Sequence, residues 1–206
     1  MKSISYYILS FTLSLVVASC EKEEKAVSVK DIDGNIYKTV IIGSQVWMSE
    51  NLKTTKFANG DIITGSYAYN NDDNNVAIYG MLYTWYEATD SRNICPAGWH
   101  VPNADDWGAL LSNVTTYDQL KESGTDHWLS PNTGATNSVQ FTALPGGINT
   151  GGSSFGLGSI GSFWLTREID ATIGNGFLLY HDNNPTPGDW VYRSKSWGLS
   201  VRCLKD

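Results

Sequence analysis

The sequence predicts an α+β domain of antiparallel sheets, one or two short helices and long irregular loops. Three observations carry that expectation. Runs of β-branched and aromatic residues recur at short intervals, separated by clusters of Gly, Pro, Asn and Asp. The chain holds 20 glycines, 11 tyrosines and 8 tryptophans, so turns and large rings are abundant. Long uninterrupted helical periodicity is scarce. At 206 residues the length suits one domain with a tail, and 41% hydrophobic against 17% charged residues supports a packed core. The net charge is -7 and no stretch clusters Lys and Arg, which argues against nucleic-acid binding, since that needs cations to neutralise phosphates.

The elements follow in chain order. Asp31 to Asn35 forms a turn cluster, and residues 36–42 and 46–52 read as a β-hairpin punctuated by Gly43-Ser44-Gln45. Residues 53–66 are looped, with Ile62-Ile63 as a short strand. The run from Asn70 to Asn75 is wholly polar. Asp72 and Asp73 within it offer oxygens to a structural calcium ion, a weak candidate because the spacing departs from the EF-hand pattern; the plainer reading is a solvated Asx-turn loop. Tyr79, Leu82, Tyr83, Trp85 and Tyr86 read as core.

Residues 93–107, NICPAGWHVPNADDW, pose a choice. Cys95 as nucleophile, His100 as base and Asp105 or Asp106 as orienter would make a catalytic set. The same residues also read as scaffold. Pro96-Ala97-Gly98 turns the chain, and Asn103 is a good N-cap. Asp105 and Asp106 then meet the positive end of a helix whose Trp107, Leu110, Leu111 and Val114 form one apolar stripe. A short second helix is expected over residues 117–123. Residues 123–137 form a polar loop around Trp128, and residues 139–147 a strand broken at Pro145-Gly146-Gly147. Residues 149–162 read as a flexible glycine-rich loop without the Lys-Ser/Thr ending of a phosphate loop. Short strands at 163–168, 176–181, 190–195 and 199–206 close the chain as an antiparallel sheet.

The N-terminus carries Lys2, an apolar stretch from about Tyr6 to Ala18, and Val17-Ala18-Ser19-Cys20. This resembles the signal and lipobox of bacterial lipoproteins, which implies cleavage after residue 19 and lipid on Cys20. Residues 20–30 then form a charged tether. Its acidic start resembles an export signal to the outer face of the outer membrane, with a periplasm-facing anchor as the alternative. With Cys20 lipidated, Cys95 and Cys203 remain as an even pair in a compartment where disulfides persist. Their bridge would span more than half the chain, and loops of that size contribute about 4.7 kcal/mol in the chain-entropy picture. A catalytic Cys95 would instead leave Cys203 as a second unpaired thiol outside the cytosol.

Five stretches in order, VIIGSQVWMSENL, YGMLYTWYEA, NICPAGWHVPNADDW, FTALPGG and GLSVRC, resemble the Fibrobacter succinogenes major paralogous domain family over residues 31–206. Cys95 and Cys203 fall in that family's two cysteine motifs, which supports their pairing. The family in turn resembles the C-type lectin and formylglycine-generating-enzyme superfold. That resemblance implies pairing of first and last strands near each other and a binding face of long loops. Two family signatures are missing. The Glu-Pro-Asn or Gln-Pro-Asp and Trp-Asn-Asp motifs of calcium-dependent sugar-binding lectins are absent, and the sole mature-domain cysteine pair is needed to staple the fold.

The expectation for function is a non-catalytic binding or adhesion module, monomeric, anchored to the membrane and directed at a glycan or a surface-protein or matrix ligand. Trp128, Phe155, His181 and Trp190, on the loops at 123–137, 149–162 and 181–189, are the expected ligand contacts. No cofactor is expected. The alternatives are a structural or accessory subunit of a surface appendage, or a polysaccharide hydrolase drawing on Asp105, Asp106, Glu168 and Asp189.

Overall fold

The computed structural model describes residues 28–182 and 189–206. The expected leader (residues 1–19), Cys20, residues 21–27 of the tether and residues 183–188 of the loop at 181–189 lie outside the described residues.

The core is organised by a three-stranded antiparallel sheet in the order β10-β11-β12, from Ile160–Glu168, Ile173–Tyr180 and Asp189–Ser194. Successive residues of a strand face opposite sides, and here both sides are apolar. Phe163, Leu165, Phe177 and Leu179 pack with Trp47, Trp107, Trp128 and Phe141 on one side. Trp164, Leu178 and Val191 pack with Tyr83, Trp85 and Met48 on the other. A sheet covered on both faces explains why these strands read as near-continuous apolar runs rather than an alternation.

A second sheet gathers the ends of the described chain in the order β3-β4-β13-β7, formed by Thr39–Ile42, Gln45–Met48, Leu204–Lys205 and Trp99–His100. The β3–β4 turn is the two-residue Gly43-Ser44, since Ile42 pairs with Gln45, and Gly43 has φ 62°. Leu204 sits between Trp47 and His100, so the last strand is laid between the expected hairpin and the opening of the Cys95–Asp106 stretch. Three two-stranded ribbons complete the molecule: β1 with β2 (Val29–Lys30, Ile36–Tyr37), β5 with β6 (Ser66–Tyr67, Leu82–Tyr83) and β8 with β9 (Gly146–Asn149, Ser154–Leu157).

The helices are short: α1 is Asn74–Tyr79, α2 Trp85–Ala88 and α3 Ala104–Leu111. The α3 start matches its sequence signal. Asn103 Oδ1 accepts from the N–H groups of Asp105 and Asp106 at 2.7 and 3.1 Å, and the Asp106 carboxylate accepts from Asn103 N–H at 2.9 Å. This capping box satisfies donors that the first turn cannot pair. Cys95 and Cys203 are disulfide-bonded and buried, which closes the nucleophile reading of Cys95. His100 lies between two carboxylates, with Nδ1 2.6 Å from Asp206 and Nε2 3.4 Å from Asp106. It ties the chain's last residue to the helix cap.

Several expectations need correction, among them Tyr86, read as core but 53% exposed. The second helix is a 3₁₀ turn at Tyr117–Leu120, because Lys121 turns extended to bridge Ala143. The strand expected over 139–147 is absent up to Gly146, where β8 begins; Gln140 and Thr142 have φ 57° and 54°, which breaks any ladder there. The glycine-rich stretch at 149–162 is a tight hairpin, not a flexible loop: Thr150 N–H donates to Ser153 O at 2.8 Å, and β9 and β10 occupy most of the rest. The polar run at 70–75 contains the start of α1 rather than loop alone.

The irregular backbone at 140–142 serves a buried polar node. Arg202, 1% exposed, donates from Nε to Asn51 Oδ1 at 2.9 Å and from its terminal nitrogens to the carbonyls of Phe141 and Thr142. Asn51 in turn donates to Tyr79 O at 2.8 Å. Burial pushes the guanidinium down to about 9, which leaves it charged at neutral pH. Gly80 passes so close to this node that a Cβ would lie 2.6 Å from Leu52 O. The stretches VWMSENL, YGMLYTWYEA, FTALPGG and GLSVRC therefore converge on one buried cation.

Candidate functional site

The described parts of the loops expected to form a binding face do come together, joined by backbone hydrogen bonds. Leu129 N–H donates to Gly158 O at 2.7 Å, Thr133 N–H to His181 O at 2.7 Å, and His181 N–H to Ser159 O at 3.0 Å. His181 Nδ1 lies 3.1 Å from Ser130 O. Beneath them the Lys121 ammonium, fully buried, donates to Thr133 O and Tyr180 O at 2.8 Å and pairs with Asp118 at 2.8 Å. Burial pushes its pKa down, against the Asp118 carboxylate, which raises it. A buried ammonium satisfied this way stitches the loops into a rigid end.

Trp128 is the plug of that end and not a contact residue. It is 1% exposed, its indole N–H donates to Ala143 O at 2.9 Å, and Gly161 abuts the ring. A ring enclosed on both faces has none to offer a ligand. Phe155 is 43% exposed but belongs to another neighbourhood, with its ring 6.4 Å from Trp197 and the Arg193 guanidinium 5.8 Å from that indole. His181 is half-buried and committed to the loop stitching.

Trp190 leads to a different surface. The β11–β12 register sets Phe177 opposite Trp190 and Asn175 opposite Tyr192, so Trp190 and Tyr192 share one sheet face. On that face Trp107, Phe177 and Trp190 follow one another, with ring centroids 4.6 and 5.9 Å apart. Tyr117 stands on its 3₁₀ turn 5.8 Å from Phe177, on a turn held by Gln119, whose side chain accepts from Thr115 N–H at 2.8 Å. Where the cover of α3 ends, three rings emerge: Tyr117 at 37%, Trp190 at 41% and Tyr192 at 58% exposure. They form an aromatic shelf whose inner edge is locked into the core. Rings of this kind offer apolar faces without the entropy cost of ordering long chains.

Sequence reasoning missed Tyr117 and Tyr192. The signal for Tyr192 was the Trp-Val-Tyr alternation on a strand; nothing local marked Tyr117. It also missed a carboxylate–imidazole pair, His127 Nδ1 at 2.8 and 2.9 Å from the two oxygens of Glu122, with the His127 ring edge-on to Tyr79 at 5.8 Å. Burial and the neighbouring Glu122 push the Tyr79 phenol up.

The other named carboxylates whose side chains are described are engaged or exposed. Asp106 caps α3, Glu168 pairs with the buried Lys195 at 2.5 Å, and Asp105 is exposed on the first turn. Asp72 Oδ1 accepts from the backbone and side chain of Asn74 at 3.0 and 2.8 Å, which is the Asx-turn arrangement. Asp73 is exposed beside it. Among the described residues no three His, Cys, Asp or Glu side chains group as a metal site would need. An open groove of about 1030 Å³ along β3, lined by Val40, Ile41, Val46 and Val139, lies by the start of the described chain and carries one charged residue, Lys205.

A model of the Fibrobacter succinogenes major domain matches residues 40–205 of this chain. No curated protein and no solved structure matches it.

Proposed function

The chain belongs to the Fibrobacter succinogenes major domain family, and from that premise we propose that it is a non-catalytic binding module that holds a glycan on the shelf of Tyr117, Trp190 and Tyr192. The observation that carries the reading is the set of three exposed rings, of which Tyr117 and Trp190 rest on Phe177, itself packed on Trp107, while Tyr192 follows Trp190 on the same face of its strand. Sugar rings present C–H-rich faces that stack on such surfaces, and the tyrosine hydroxyls supply hydrogen bonds to their hydroxyls. Engagement of Asp106, Glu168 and Glu122 in caps and pairs favours binding over hydrolysis, which needs two free carboxylates at a set separation.

Three features support a C-type lectin-like arrangement. The last strand lies between an early and a middle strand, a helix follows the Pro102 lead-in, and the disulfide joins that lead-in to the last strand. A lipid on Cys20 would anchor the module to the membrane, and the acidic residues that follow it favour the outer face of the outer membrane. Mass spectrometry of the membrane-extracted protein should find Cys20 as the acylated N-terminus, and an unmodified leader would sink the anchor.

The test of the shelf is a glycan-array screen of the purified protein, with calcium and with EDTA. A reproducible hit should vanish in Trp190→Ala and Tyr192→Ala and survive in Phe155→Ala. A blank array from folded protein, or a hit indifferent to both shelf changes, overturns the reading.

A further inference from the structure

We propose that β12 is a self-pairing edge, and that two copies of this chain join through it into one continuous six-stranded sheet. This inference rests on backbone directions and strand register, and stands apart from the glycan reading.

Within the described residues β12 pairs with β11 alone, and no other described strand lies on its second edge. The backbone groups that face outward follow from the ladder. Lys195 N–H donates to Thr172 O at 2.8 Å, and Val191 O accepts from the Asn175 side chain of β11. Antiparallel partners alternate between facing and turned-away backbone groups, so positions 189, 191, 193 and 195 point at β11, and Trp190, Tyr192 and Ser194 point away. Tyr192 O confirms its direction: it accepts from the chain's own Arg193 Nη1 at 3.1 Å, a stopgap partner for an unpaired edge carbonyl.

The strand reads Asp-Trp-Val-Tyr-Arg-Ser from 189 to 194. A two-fold axis normal to the sheet at Val191 sets Trp190 against Tyr192 of the second copy, twice, which matches the outward N–H and C=O groups of these two residues in both copies, while Ser194 O already accepts from Trp197 N–H at 2.9 Å. It also sets position 189, acidic, against position 193, basic, twice. Centring on Tyr192 instead would oppose Arg193 to Val191 and lose that complementarity. Opposite charges and aromatic pairs placed directly across strands stabilise antiparallel pairing, while like charges there oppose it. The edge lacks the protections common on solitary strands: it is six residues long and carries no Lys and no Pro. Self-complementarity of sequence about one residue is what an isologous contact requires, and this selects a second copy over a foreign strand. Trp190 and Tyr192 of both copies then line one face, joining two shelves.

A contact made by one strand from each copy is small, so the association should be reversible and visible in the micromolar range or weaker. Sedimentation velocity of the purified protein over a concentration series should show monomer passing to dimer. Arg193→Asp sets like charges opposite each other and should weaken the dimer by about tenfold or more. The double change Asp189→Arg with Arg193→Asp should restore it to within about threefold. Tyr192→Pro removes an outward donor without touching the β11 ladder and should leave monomer with an unchanged circular dichroism spectrum. A protein that stays monomeric throughout, a dimer indifferent to Arg193→Asp or Tyr192→Pro, or a charge swap that fails to rescue would each overturn the proposal. The double change keeps the test decisive even if a single change disturbs folding.

Discussion

Arg202 and Trp190 lean on the same cross-strand pair. The guanidinium lies 5.5 Å from the Phe163 ring, and the indole 5.9 Å from Phe177, which faces Phe163 across β10 and β11. Their surroundings differ in kind. The hydrogen-bond partners of Arg202 are committed acceptors, Asn51 from VWMSENL and Phe141 and Thr142 from FTALPGG, and its ring neighbours are Phe141 and Phe163. Trp190 has core on one side and solvent on the other, and belongs to none of those stretches. The comparison teaches that the recognisable motifs of this chain encode scaffold. A buried cation tolerates no substitute, because removing it strands its acceptors. An exposed ring at a sheet edge can change without cost to folding, which is where a ligand preference can be written.

The sharpest break of that contrast is Arg202→Met. It should leave Asn51 Oδ1 and two carbonyls unpaired in the core and cost about 3–5 kcal/mol, by analogy with breaking a buried charged interaction from one side. Urea unfolding measures it, and binding per folded molecule should hold. Opening the disulfide with Cys95→Ser should come next, at about 2–5 kcal/mol in the same assay. Removing the α3 cap with Asn103→Ala should cost about 1 kcal/mol. Trp190→Ala and Tyr192→Ala should shift the unfolding midpoint least and ligand affinity most. A large stability loss from Tyr192→Ala would blur the distinction between scaffold and shelf.

The last effect depends on pH. Burial works against the Asp33 charge, but donors from Thr55, Lys56 and Thr54 outweigh it and hold the carboxyl at about 2. A carboxyl held below its unfolded value stabilises the fold above that value, and the contribution fades as pH falls from about 4 through about 2. Asp33→Asn should therefore lower stability at neutral pH, and its difference from the unchanged protein should close below about pH 2. A difference that persisted there would assign the effect to lost hydrogen bonds alone.

Much of the scaffold was legible before any coordinates. The Asn103 cap, the Trp107–Leu110 stripe, the hairpin near Gly43 and the strands near 163–168, 176–181 and 190–195 are local patterns, set within a few residues by backbone hydrogen bonding and side-chain period, whereas the strand expected over 199–206 forms only Leu204–Lys205 and joins the other sheet. The cysteine pair was legible by arithmetic once Cys20 was assigned elsewhere. Segments whose conformation is imposed from a distance were misread. The bent backbone at 140–142 answers to Arg202, sixty residues on, and the stretch at 149–162 looked like a flexible loop because its glycines hide a hairpin in which a Cβ at Gly147 would lie 2.6 Å from Phe155 O.

The site divides the same way. The sequence by itself determined that Trp190 begins an aromatic strand and that Trp128 sits on a polar loop. Tertiary structure alone decided that Trp128 is sealed inside and that Tyr117, Trp190 and Tyr192 share a surface. Exposure depends on which side chains cover a ring, and those come from residues far away in the chain. Trp128 is enclosed by Lys121, Ala143 and Gly161, whereas the cover over Phe177 stops short of Trp190.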